Sequence, residues 1–216
     1  MIIDTIVRRL KKETARLTPP LIDHIIAEYG KDPFLVLISC LLSLRARDVR
    51  TIHVCRALFA HARTPQEMLK LSRGQLEKLI YQSGFYKNKA KVLHEVSTAL
   101  LERFDGTVPH TVEELMSIKG IGPKTAHLVV GQAFNIPAIC VDVHVHRISN
   151  RLGVVRTTTV EQTEQQLRKI LPKKYWLVWN NLLVMWGQNV CLPRLPWCSR
   201  CALSDVCQRV GVGKKR

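Results

Sequence analysis

Acidic residues are scarce in this 216-residue sequence: 17 Asp and Glu stand against 33 Lys and Arg, a formal charge of +16. An imbalance of that size points to a polyanionic partner, nucleic acid by default. A basic protein that needs only solubility is the plain alternative. Long apolar runs are also missing. The longest, Pro33–Leu44, is too short to span a bilayer and reads as a buried helix. The first sixteen residues carry both signs of charge and no apolar stretch of signal length, so no export signal is expected. The chain would then stay in the cytoplasm, and its seven cysteines read as thiols or metal ligands rather than disulfides. Sustained period-two alternation is absent, as are internal repeats, low-complexity stretches and an obvious linker. What is present is 46% hydrophobic and therefore globular.

The segment that organises the rest is 109–126, Pro-His-Thr-Val-Glu-Glu-Leu-Met-Ser-Ile-Lys-Gly-Ile-Gly-Pro-Lys-Thr-Ala. Thr111 with Glu114 three residues on is a capping box and starts a short helix. Gly120 and Gly122 make a tight turn, and Pro123 suits the first position of a second helix with Ala126, Val129, Val130 and Ala133 on one face. A glycine hairpin at a helix N-terminus turns backbone N–H groups outward, a seat for a phosphate. Lys124 lies in the first turn of that helix. It reads as a phosphate contact or, more sharply, as a nucleophile. A helix N-terminus and a basic neighbourhood both disfavour the cation, which leaves some amine neutral.

Around this segment the pattern is helical throughout. Residues 4–17 read as a helix capped by Asp4, with Arg8, Arg9, Lys11, Lys12 and Arg16 outside, and Leu21–Tyr29 as a second. Pro33–Leu44, apolar nearly all round, belongs at the centre of a helical domain. Arg45 and Arg47 follow it directly and are either surface charges or ligand-facing groups. Thr64–Glu67 and Ser72–Gln75 open further helices. Phe85-Tyr86 precede Lys87, Lys89 and Lys91 in a turn before a helix over 87–104. Such an aromatic either packs the turn or wedges among bases. Ala138–Val145 looks briefly strand-like, but Asp142 reads as the N-cap of the next helix. On that helix His144, Arg147 and Arg151 share a basic face expected to look outward. Thr159–Gln162 caps another helix, and Lys174–Val190 is a last long one carrying Trp176, Trp179 and Trp186 as packing residues.

Cys191, Cys198, Cys201 and Cys207 follow a C-x6-C-x2-C-x5-C spacing. Four thiolates that close can wrap one metal centre, zinc or an iron–sulfur cluster, and spacing alone leaves the two about even. Arg194 is the one cation in the stiff loop between the first two, and 214–216 reads as a frayed tail. Asp142 is structural as a cap. Held ionised by the cap's own N–H groups, it could also stabilise a cationic transition state near an amine.

These motifs together resemble the endonuclease III family of DNA glycosylases, in the helix-hairpin-helix superfamily. The resemblance rests on Ile118–Ala126, on Val141-Asp142-Val143-His144-Val145-His146-Arg147 and on the cysteine spacing. Leu41–Asp48 and Gly84–Ala90 match more weakly. It implies an all-α, two-lobed protein: a six-helix barrel lobe over 26–136 with the helix-hairpin-helix at 111–134, and a cluster lobe of 1–25 plus 137–216 with a [4Fe–4S] loop at 191–207. The resemblance also implies DNA bound in the cleft between lobes, a monomer acting beside the nucleoid in a prokaryote, and iron–sulfur rather than zinc. Lys124 would attack C1′ of a flipped nucleotide, with Asp142 stabilising the transition state. Gly120 and Gly122 would hold a phosphate, Phe85 would be the wedge, and Arg45, Arg47, His144, Arg147 and Arg194 would face DNA.

Two departures bear on specificity. Where the better-known branch reads Ser-Ala-Gln-Ala-Thr-Asp, this chain has Ser43-Leu44-Arg45-Ala46-Arg47-Asp48, so a gap-filling glutamine becomes Arg45 and opposite-base readout changes. Pro123 replaces an arginine common before the lysine. The expected activity is excision of oxidised pyrimidines with strand cleavage. The competing readings are a mismatch-specific adenine or thymine glycosylase and a non-catalytic DNA-binding protein. The adenine-mismatch relatives usually lack the lysine and carry an extra C-terminal domain, for which nine residues after Cys207 leave no room.

Overall fold

The computed structural model describes residues 2–46 and 48–216; Arg47 and the Asp48 side chain lie outside the described residues. Among the described residues there are helices and no strands, and the strand-like stretch before Asp142 is an extended approach to a helix. The chain divides into two compact units, 21–136 and 1–20 with 137–216.

In the first unit α2 (Leu21–Tyr29), α3 (Pro33–Ser43), α4 (Asp48–Phe59), α5 (Pro65–Lys70), α6 (Arg73–Leu79), α7 (Tyr86–Phe104), α8 (Val112–Met116) and α9 (Pro123–Phe134) gather around α3. Every residue of α3 from Phe34 to Leu42 is buried, so an all-round apolar sequence becomes the axis against which α2, α4, α7 and α9 pack. Asp32 caps it by accepting the Leu35 N–H at 2.9 Å. The expected caps are in place: Thr64 accepts from Glu67 N and Thr159 from Gln162 N, and Ser72 with Gln75 closes a complete capping box.

The second unit joins α1 (Ile2–Thr14) to α10 (Val143–Leu152), α11 (Val160–Ile170) and α12 (Trp176–Asn189), followed by the cysteine loop. Ile6, Leu10, Val145, Ile148, Leu167, Trp179 and Leu183 share its core. Helix α1 starts two residues earlier than the sequence suggests. Asp4 therefore sits inside the first turn, not at the cap, and accepts the Tyr175 hydroxyl at 2.6 Å. Arg9, expected outside, is half-buried: it donates to Ala202 O at 3.0 Å and pairs with Asp205, tying α1 to the cysteine loop. The end of the chain is likewise anchored rather than frayed. Arg216 N donates to Pro196 O and Ser199 N to Arg216 O, both at 2.9 Å, and the Trp197 ring lies against the Arg200 and Arg216 guanidiniums.

Candidate functional site

In the first unit the hairpin is built as the sequence requires. Thr111 caps α8 by accepting from Glu114 N, and its hydroxyl donates to the Glu114 carboxylate at 2.6 Å. Gly120 has φ +98°, and a Cβ there would meet Val92 Cγ1 at 2.8 Å, so only glycine fits. Gly122 is extended, is the N-cap of α9 and offers no side-chain cap; a Cβ there would meet nothing within 4 Å. The start of α9 therefore receives no side-chain acceptor from its own N-cap. Pro123 takes the first helical position and Lys124 the second, where its side chain is exposed.

A second feature of this unit assembles residues far apart in sequence. Arg45 and Phe85 are both non-glycine residues in left-handed backbone, φ 55° and 59°. Such a conformation costs about 1–2 kcal/mol apiece. The Arg45 guanidinium lies 5.8 Å from the centroid of the Phe85 ring, which is 66% exposed despite being apolar. Both line an open pocket of about 430 Å³ with Leu41, Leu44, Lys89 and Gly120. The two candidate DNA contacts and one hairpin glycine thus face the same space. Lys89 departs from expectation: it is buried, not part of an exposed basic run with Lys87 and Lys91.

In the second unit Asp142 is the N-cap of α10 and is buried; one carboxylate oxygen accepts from His144 N and Val145 N, each at 2.9 Å. The expectation of an outward basic face on α10 is wrong for two of its three members. Arg151 is buried, with Nη1 donating to Leu192 O at 2.7 Å and to Cys191 Sγ at 3.3 Å, and Nη2 to Pro193 O at 2.8 Å. Arg147 Nη2 donates to Cys191 O at 2.9 Å and to Gly187 O at 3.2 Å, and burial pushes its guanidinium down. The carbonyls at the end of α12 and in the cysteine loop take up donors of both guanidiniums, so Arg147 braces the cysteine loop. His144 is half-buried beside it; a Cβ at Gly187 would run into both, which explains a glycine within α12. Arg194 is exposed on the loop.

Cys191, Cys198, Cys201 and Cys207 line one pocket with Arg151, Trp197, Arg209 and Val212. Among the described residues no three His, Cys, Asp or Glu side chains converge on a point that one ion could occupy. Burial raises the Cys201 and Cys207 thiols, so a thiolate there needs positive charge beside it. Arg151 and Arg209 are the cations at hand. A pocket of four thiols with guanidinium neighbours is suited to a metal centre that carries net negative charge once its thiolates are bound.

Hairpin, capped carboxylate and four-cysteine pocket define a class. Residues 38–173 match the HhH-GPD superfamily of base excision DNA repair proteins. Endonuclease III of Thermotoga maritima is 45% identical over 188 residues, 86% of this chain and 88% of that protein. Endonuclease III homolog 2, chloroplastic, of Arabidopsis thaliana is 40% identical over 81% of this chain, which spans about half of that longer relative (47%). A solved non-covalent Endonuclease III–DNA complex superposes with a TM-score of 0.85 at 33% identity, over 96% of this chain and 94% of that one. The chain belongs to the endonuclease III family within this superfamily, and is a DNA glycosylase with AP lyase activity in base excision repair. No helix among the described residues is long and apolar enough to cross a membrane.

Arg151, Lys89 and Arg9 are the residues that the sequence reading missed. Each is a basic residue in an amphipathic helix, where the period assigns it to solvent. Only Arg151 carried a signal, since it shares a face with Arg147 one turn before it.

Proposed function

We propose that this protein excises oxidised pyrimidines from double-stranded DNA and then cuts the strand at the abasic site. The observation that carries the reading is Lys124, exposed at the second position of α9 directly after a glycine hairpin suited to a phosphate. A phosphate held by the N–H groups around Gly120 and Gly122 would bring the sugar of a flipped nucleotide to the amine. The Lys124 amine attacks C1′, the N-glycosidic bond breaks, and the base leaves with the electron pair and takes up a proton. The attacking nitrogen gives up a proton and the C1′–O4′ bond opens, with O4′ protonated, to leave a Schiff base; loss of the proton from C2′ then expels the 3′ phosphate. The Asp142 carboxylate at the head of α10 stabilises the positive charge that develops on the sugar. Arg45 and Phe85 enter the duplex where the nucleotide has left, and Arg194 meets a phosphate.

The four cysteines would hold a [4Fe–4S] cluster. Bound, it would act as a folding staple for residues 191–207. The charge of +16 supports DNA as the partner. The protein acts as a monomer, at the DNA of the cytoplasm.

The test is borohydride trapping on duplexes carrying thymine glycol or an abasic site, with wild type and Lys124→Ala. A covalent adduct that disappears in the variant is expected on both. Base release without any adduct makes Lys124 a phosphate contact instead. Adenine release opposite oxidised guanine, with none of thymine glycol, overturns the substrate assignment.

A further inference from the structure

Lys89 lies in the first turns of α7 between two exposed lysines, yet its own side chain is only 7% exposed. Its ammonium donates to Leu42 O at 2.6 Å and to Ser83 Oγ at 2.8 Å, and the Ser83 hydroxyl donates to the same carbonyl at 3.4 Å. Burial pushes the amine down, so it is held there against a solvation cost. The two acceptors explain the placement. Leu42 is in the last turn of α3, where carbonyls lack helical partners and a cation is favoured. Ser83 lies in the turn before α7.

These are also the two roots of the pocket. Arg45 follows Leu42 by three residues, Phe85 follows Ser83 by two, and both stand in left-handed backbone. Neither residue is a glycine that would adopt this conformation freely, and the exposed Phe85 ring has no burial to hold it. The one ammonium joins the strained segments at their bases, and its own residue lines the space that Arg45 and Phe85 share.

We propose that Lys89 is a positioning residue: it fixes how far apart and at what angle Arg45 and Phe85 stand, and thereby how well the pair fills the gap in a duplex from which a nucleotide has been turned out. The inference rests on the reading that Arg45 and Phe85 contact DNA. Nothing in it involves the chemistry at Lys124.

The test compares Lys89→Met, which keeps the stem and removes the donors, with Phe85→Ala, Arg45→Ala and the Lys89→Met/Phe85→Ala double variant. Two quantities are read. One is the single-turnover rate of thymine glycol release from a duplex with 2-aminopurine opposite the lesion. The other is 2-aminopurine fluorescence, which reports whether the gap is filled. Trapping on a single-stranded abasic oligonucleotide is the control, since it has no gap to fill. Lys89→Met is expected to lose about ten- to a hundredfold in duplex rate, to give the fluorescence of Phe85→Ala and to keep its single-strand trapping. The double variant should be no slower than the worse single one. A wild-type rate and fluorescence in Lys89→Met overturn the proposal, as do a multiplicative double variant or an equal loss on the single strand. If Phe85→Ala and Arg45→Ala both leave rate and fluorescence unchanged, the underlying DNA-contact reading has failed instead. Should Lys89→Met not fold, Ser83→Ala, which removes one of the ammonium's two acceptors and the long hydroxyl bond to Leu42 O, decides: a smaller loss in duplex rate with the same fluorescence change supports the clasp, and no change overturns it.

Discussion

At Asp142 one carboxylate oxygen accepts two backbone N–H groups at 2.9 Å, a cap that asparagine supplies equally well. Asp142→Asn therefore separates the cap from the charge. Thermal stability is expected to stay within a few tenths of a kcal/mol, while single-turnover base release falls by about 10²–10³, the loss of one preorganised electrostatic group. Unchanged release in a folded variant removes Asp142 from the mechanism. This residue, Lys124 and the hairpin glycines are legible in the sequence because local geometry dictates them: a cap needs an oxygen, and φ +98° beside Val92 needs a glycine. Arg147, Arg151 and Lys89 are not legible, because what turns each inward is a set of carbonyls contributed by a distant segment. A helical period identifies faces but does not identify which face meets an unsatisfied loop. Arg45 and Phe85 are intermediate: each is conspicuous alone, and only the folded chain places the guanidinium over the ring.

Among the helices, α3 and α9 begin close to where the sequence suggests, since Asp32 or Gly122 followed by proline marks the start. The start of α1 is misjudged because Asp4 has a competing partner across the unit, the Tyr175 hydroxyl, and needs no capping role. Asp4 in its first turn, and Asp205 through Arg9 past its middle, anchor this helix. The Tyr175 hydrogen bond holds the Asp4 carboxyl below the usual carboxylate range, and the Arg9 hydrogen bond does the same for Asp205. Both folded values lie below those of the unfolded chain. The stabilisation is therefore complete above the ordinary carboxylate pKa near 3.8 and fades as pH falls through the depressed folded values. Hydrogen-exchange protection across Ile2–Thr14, taken relative to the intrinsic rate at each pH, should fall in that acid window. In an Asp4→Asn/Asp205→Asn variant, protection should already be low at neutral pH and nearly independent of acid. Equal acid sensitivity in variant and wild type would show that other groups anchor the helix.

Over the whole molecule the charge of +16 sets how binding responds to salt, since each cation that meets a phosphate contributes about −0.9 to the slope of log K against log salt. Exposed Arg194 sits on the stiff loop between cysteines. Arg194→Gln is expected to shallow that slope by about one, to weaken binding alike for different lesions and to leave the visible absorption of the proposed cluster intact. An unchanged slope frees Arg194 of a phosphate. The lobe division expected at 136/137 came from the resemblance, for no change of composition marks residue 137; what separates the units is packing between helices, which a linear pattern does not carry. One of these units is assembled from both ends of the sequence, and that arrangement has a consequence in time. On the ribosome α1 is made well before the rest of its unit, for Ile6, Val7 and Leu10 share a core with residues from Ile139 onward. At roughly 5–20 residues per second that wait lasts on the order of ten seconds, during which the intervening unit is completed. An early helix is thus buried late, and its oily stripe waits for its core until 137–216 has been made.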